Sequence, residues 1–79
     1  KSDLKKLKKE ESNLLSFLEE LEDFQKNIEH KMANPENYSD GEKMKALKQE
    51  LDKNRELQLE TGNRWEKIEM ELDGMDNFE

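Results

Sequence analysis

A chain of 79 residues holds one domain at most, and with 30% of it hydrophobic, 44% charged and a formal net charge of -7, a broad apolar core is excluded. There is no Cys and a single His, so neither disulfides nor a metal of the thiolate or imidazole kind is expected to support the fold. No apolar run approaches a bilayer span and no signal-peptide core is present, so no membrane partner is expected and the cytoplasm is the expected compartment.

Low hydropathy of this order also describes disordered chains, which lack sustained apolar periodicity. Here the periodicity runs from end to end. The chain opens on Lys1 rather than Met, and residues 1–79 are expected to be one domain cut from a longer polypeptide. From Leu4, alternating steps of three and four reach Leu7, Glu11, Leu14, Leu18, Leu21, Gln25, Ile28 and Met32, which predicts a first helix over about 3–33 with a heptad seam. Pro35 disfavours helix at Asn34, and the small polar residues around it predict a reversing loop over 34–39. Ser39 followed by Glu42 has the spacing of a capping box and predicts the start of the second helix.

From Met44 the same steps reach Leu47, Leu51, Asn54, Gln58, Thr61, Trp65, Ile68, Leu72 and Met75, predicting a second helix over about 40–74 and a frayed tail over 75–79. Folded back on one another, the two seams pair in register without a slip, from Met32 with Met44 to Leu4 with Leu72. The predicted fold class is therefore all-α, a two-helix antiparallel coiled-coil hairpin, expected to be a monomer, with helix exchange between two copies as the alternative. The polar residues Asn54, Gln58 and Thr61 are expected to face Leu21, Leu18 and Leu14. Gly62 marks where bending or fraying should begin. Leu15, Phe17, Phe24, Leu57 and Leu59 lie off the seam and are expected to stay partly exposed.

Charge is spread unevenly. Residues 1–9 carry +4, residues 10–25 carry six acids and no base, residues 26–48 carry +1, and residues 49–79 carry -6. Folding back sets Lys5, Lys6, Lys8 and Lys9 beside Glu66, Glu69, Glu71 and Asp73, so that basic end is expected to be matched internally. Around the loop, Lys26, His30, Lys31, Lys43, Lys45 and Lys48 form the less compensated positive surface and are the candidate nucleic-acid-binding residues. The ordinary reading of such lysines is a solvated helix face.

No Gly-rich phosphate loop is present and no nucleophile stands with a plausible base, so no catalytic residue, cofactor site or metal site is expected. The carboxylates recur along helix faces without a cleft to perturb them, which fits a solvating role. Asn37-Tyr38-Ser39 matches a glycosylation acceptor but reads as turn chemistry. Trp65 is expected to anchor the seam rather than stack on a base, and Tyr38 to pack as a lid over the capping box.

The segment Ala33-Asn34-Pro35-Glu36-Asn37-Tyr38-Ser39-Asp40, the Leu47 to Leu51 heptad and Arg64-Trp65-Glu66 resemble the C-terminal coiled-coil domain of ABC-F ATPases, the Uup-like proteins. In that family a first helix ends at a Pro-x-x-Tyr loop and a second ends near Arg-Trp-Glu. Leu18-Glu19-Glu20-Leu21-Glu22 fits its first-helix pattern too, and the likeness covers roughly residues 14–73; the first dozen residues lack the family's Lys-Leu-Ser-aromatic start. The resemblance implies that ATP and magnesium belong to cassettes of a parent ATPase outside this sequence. It also implies that the chain is a non-catalytic arm contacting DNA, ribosomal RNA or the ribosome. A protein-interaction coiled coil is the alternative from another class. A further resemblance is to the N-terminal helical domain of peptide-chain release factors, through the Pro-containing loop, the Asp after it and a Lys-Leu heptad; Trp65 argues against it.

Overall fold

The computed structural model describes residues 2–76, and among them the regular secondary structure is all helix, with no strand. Helix α1 spans Ser2–Met32, α2 is a single turn over Pro35–Tyr38, and α3 spans Gly41–Asp76. The expected loop thus contains a helical turn, and α3 runs to Asp76, beyond its expected end. The expected tail residues 77–79 and the side chain of Met75 lie outside the described residues.

Between residues 2 and 32 the chain has neither Gly nor Pro, so nothing interrupts α1 before the turn. It stops where Pro35 restricts its predecessor: Asn34 is extended, at φ -74° and ψ 125°. A single helix of the described residues would be about 110 Å long, and α3 alone about 54 Å. The molecule measures 59 × 15 × 14 Å, so α1 lies beside α3 rather than ahead of it. Its radius of gyration, 17.7 Å, far exceeds the roughly 12 Å of a compact chain of this size, as befits a rod.

The contact between the long helices is one seam wide. All nine expected seam residues of α1 are at least partly buried, and outside them, among the described residues of α1, only Glu10 shares that state. Every expected seam residue of α3 from Met44 to Leu72 is likewise withdrawn from solvent. The apolar core proper is Leu21, Ile28, Leu51, Ile68 and Leu72, with Ile28 at 2% and Ile68 at 0% exposure. Leu15, Phe17, Phe24, Leu57 and Leu59 remain exposed, as their off-seam positions require.

Two direct ties cross the seam. Arg64 holds Glu10 through Nη2 at 2.8 Å and Nε at 2.9 Å, and Gln58 Nε2 donates to Gln25 Oε1 at 2.6 Å. The earlier residue of α1 meets the later residue of α3, so the two ties run in opposite order along the helices. Both ionic side chains remain about half exposed, so solvent screening leaves that pair about 0.5 kcal/mol or less.

The second tie corrects the expected facing of polar residues onto leucines. Gln58 does not point its amide at Leu18; it bridges Gln25 and Asn54, donating to the oxygen of each. A buried amide opposite a leucine would leave its hydrogen-bonding capacity unmet, and the long Gln side chain reaches along the seam to avoid that cost. Asn54 and Thr61 are both buried.

Gly62 causes no break: α3 runs straight through it, and a Cβ added there would meet nothing within 4 Å. Gly62→Ala is therefore expected to stabilise the fold by about 1 kcal/mol, and Ile28→Ala to destabilise it by about 3 kcal/mol. Urea unfolding followed by circular dichroism at 222 nm checks both; a less stable Gly62→Ala would contradict the open space seen at that position.

Candidate nucleic-acid interface

The candidate surface is positioned by the turn between α1 and α3, whose backbone groups are satisfied locally. At the end of α1, Ala33 N–H donates to Glu29 O at 3.1 Å and Asn34 N–H to Lys31 O at 3.2 Å. Asn37 Nδ2 adds a bond to Lys31 O at 2.9 Å, so this side chain closes the last turn of α1. That is its role in the Asn37-Tyr38-Ser39 sequence. Asn34 caps α2, its Oδ1 accepting from Glu36 N–H at 3.1 Å, with Pro35 in the first turn where no amide is needed.

The cap of α3 is not the residue that spacing suggested. Ser39 closes α2 instead, its Oγ donating to Pro35 O at 2.7 Å. Asp40 takes the start of α3: Oδ1 accepts from Glu42 N–H at 3.1 Å and Lys43 N–H at 3.3 Å, and its carbonyl accepts from Met44 N–H at 3.0 Å. The physical reason is the extra helical turn after Pro35, which uses Ser39 as its terminus and moves the α3 cap on by one. A carboxylate there also complements the positive end of the helix dipole. Tyr38 is 57% exposed and forms no lid.

Lys26, His30, Lys31, Lys43, Lys45 and Lys48 are all exposed. Among the described residues the ion pair within 4.0 Å is Arg64 with Glu10, and none of these six takes part in one. They do not share a face. Stepping seven residues from Glu10 and Arg64 in opposite senses along the two helices pairs Phe17 with Leu57, Phe24 with Glu50, and Lys31 with Lys43. Two lysines therefore face each other on that flank at the turn. Lys26 lies on the other flank, in a groove lined with Glu22, Gln25, Glu29 and Gln58, where two carboxylates accompany it. His30 and Lys31 also stand in the last turn of α1, where cations favour the helix dipole irrespective of any ligand.

At the opposite end the expected matching of charges is looser than ion pairing. Lys8 shares a groove with Glu69 and Asp73, and Lys6 shares one with Glu71, but no ion pair forms there among the described residues. Trp65 sits in the seam, half-buried, with its indole N–H shielded from solvent and without a hydrogen-bond partner. That position suits an anchor and not a platform for a base. Sequence spacing did not reveal Asp40 as the cap or the cluster of Gln25, Asn54 and Gln58. The signal for Asp40 was its carboxylate two residues before Glu42.

Among the described residues no group of three or more His, Cys, Asp or Glu is arranged to hold a metal ion, and no helix is long and apolar enough to cross a membrane. The family model described as ABC transporter C-terminal domain matches residues 4–70, which includes the first turns that the loop and Trp pattern left out. No curated protein and no solved structure matches the chain.

The cap assignment has a direct consequence. Asp40→Ala is expected to cost about 1 kcal/mol and Ser39→Ala less than half of that, read from the shift in urea midpoint. The reverse order would restore the capping role to Ser39.

Proposed function

The chain belongs to the ABC transporter C-terminal domain family, and from that premise we propose that it is the non-catalytic C-terminal arm of an ABC-F type ATPase. In this reading it is an antiparallel coiled-coil hairpin whose turn contacts nucleic acid, DNA or ribosomal RNA, or the ribosome. The hairpin is supported by the opposite order of the Glu10–Arg64 and Gln25–Gln58 ties and by the shared burial of both seams. The family match over residues 4–70 weighs against the release-factor reading.

The observation that carries the nucleic-acid reading is the contrast between turn and shaft. Residues 26–48 hold a net +1 between segments of -6 on either side, and their lysines are exposed and free of ion pairs among the described residues. The acids of the shaft repel a polyanion, and the cations open to it are those of the turn and the lysines of residues 1–9, two of which share grooves with Glu69, Glu71 and Asp73. Lys31 and Lys43, level with each other by register on one flank, are taken as the centre of that contact.

ATP and magnesium belong in this reading to the parent's cassettes. The residues here do not fit them: there is no Gly-rich phosphate loop and no set of metal-ligating side chains among the described residues, and no step of hydrolysis is assigned to this chain. The parent is taken to be a cytoplasmic protein that uses the arm as a lever or antenna.

The test is binding of fluorescently labelled ribosomal RNA at several salt concentrations. The parent chain is expected to bind with an affinity that falls with salt, and the triple variant Lys43→Glu, Lys45→Glu, Lys48→Glu to lose that binding and flatten the salt slope by about 2 to 3. Substituting Lys5 and Lys6 by Glu should leave both unchanged. Equal binding by the parent chain and the triple variant would end the proposal.

A further inference from the structure

The flank of the rod that carries Glu10 and Arg64 also carries an apolar strip that the seam leaves uncovered. Phe17 is 40% exposed, Phe24 50% and Leu57 43%. The first two are seven residues apart on α1, two turns along the same line, and the seven-residue step from the Glu10–Arg64 pair sets Leu57 of α3 opposite Phe17. The three side chains thus come from both helices and lie on one flank. Leu21, Phe24 and Leu57 line a groove of about 310 Å³ there, open along its length, with Glu50, Lys53 and Asn54 at its edges.

We propose that this flank docks a basic amphipathic helix of a protein partner. Shape supplies the first argument. A strip two turns long between two helices accepts a third helix that presents apolar side chains at i, i+4 and i+7, as in other helix-in-groove contacts. Charge supplies the second, and it decides the occupant. Glu20 stands three residues from Phe17 and four from Phe24, Glu60 stands three from Leu57, and Glu50 borders the groove, against Lys53 at its edge and, one heptad farther along the flank, Arg64 in its pair with Glu10 and Lys31 and Lys43 beside the turn. The rim sits in a shaft where residues 10–25 hold six acids and no base. Lysine or arginine beside the apolar stripe of the ligand meets these carboxylates, whereas a second copy of this chain would bring acid against acid, and a nucleic acid would be repelled.

The test uses the 79-residue chain and a synthetic Leu/Lys helix of about 18 residues with leucines at i, i+4 and i+7, compared with a Leu/Glu helix of the same apolar pattern. The Leu/Lys peptide is expected to bind and the Leu/Glu peptide not to bind. Phe24→Ser and Leu57→Ser should each weaken binding about tenfold, as loss of an apolar anchor does. Leu59→Ser, at an exposed leucine outside the groove, should leave binding within about twofold, the usual size of a change away from an anchor. Amide chemical shifts should move around Phe17, Phe24 and Leu57. The proposal is overturned by equal binding of the two peptides, by equal binding to the Phe24→Ser variant, or by shifts scattered over all acidic faces. It is also overturned if light scattering shows a dimer of the chain that Phe24→Ser dissolves, since the flank would then belong to a second copy.

Discussion

A single seam, one side chain wide on each helix, holds α1 and α3 together, and every other feature of the molecule depends on it. Among the described residues the buried apolar ones are five, Leu21, Ile28, Leu51, Ile68 and Leu72, which is little for a chain of this length. Such a core tolerates no slip. A shift of α3 by one residue would turn the whole line from Met44 to Leu72 away from α1 and bring Lys45, Lys48 or Asp52 towards it. The turn and the flanks hold their positions only while the seam keeps its register.

What sets that register is polar. Leucines and isoleucines at successive seam positions are nearly interchangeable, so apolar packing alone allows several alignments. The triad of Gln25, Asn54 and Gln58 allows few, because the donor of Gln58 is satisfied by two oxygens, one from each helix, and any shift removes at least one of them. The Glu10–Arg64 pair adds a weaker check nearer the other end. Polar residues that reduce the apolar content of α3 thereby specify how it meets α1.

The seam was legible in the sequence because burial in a two-helix rod follows one rule, the spacing of three and four, and no third element competes for the helix faces. The same simplicity exposed Phe17, Phe24 and Leu57 as surplus. The turn was less legible. Ser39 and Asp40 are adjacent, both able to cap, and only the extra helical turn after Pro35 decides between them. The facing of Gln58 was misjudged for a different reason: pairing residues by level ignores that a long amide side chain can reach along the axis to a polar neighbour. For the turn lysines, counting charge by segment located the positive region but not its azimuth. Lys31 and Lys43 share one flank while Lys26 stands with Glu22 and Glu29 on the other. Charge totals carry no angular information, and helical register does.

Separation along the axis bears on how an acidic chain could carry the proposed cationic contact. From Phe17 to Lys31 is 14 residues of α1, about 21 Å along the axis. The Debye length at physiological ionic strength is about 8 Å, so Glu60, 17 residues from Lys43 along α3, is screened from it by about three such lengths, whereas Glu50, seven residues away, stands only about 10 Å from it. The net charge of -7 is therefore not the charge that a ligand at the turn meets. The proposed polyanion at Lys31 and Lys43 would meet a mainly cationic local field, and the proposed basic helix at Phe17 and Leu57 a mainly acidic one. An extended rod spreads its charge along the axis, whereas a compact domain of the same composition would average it.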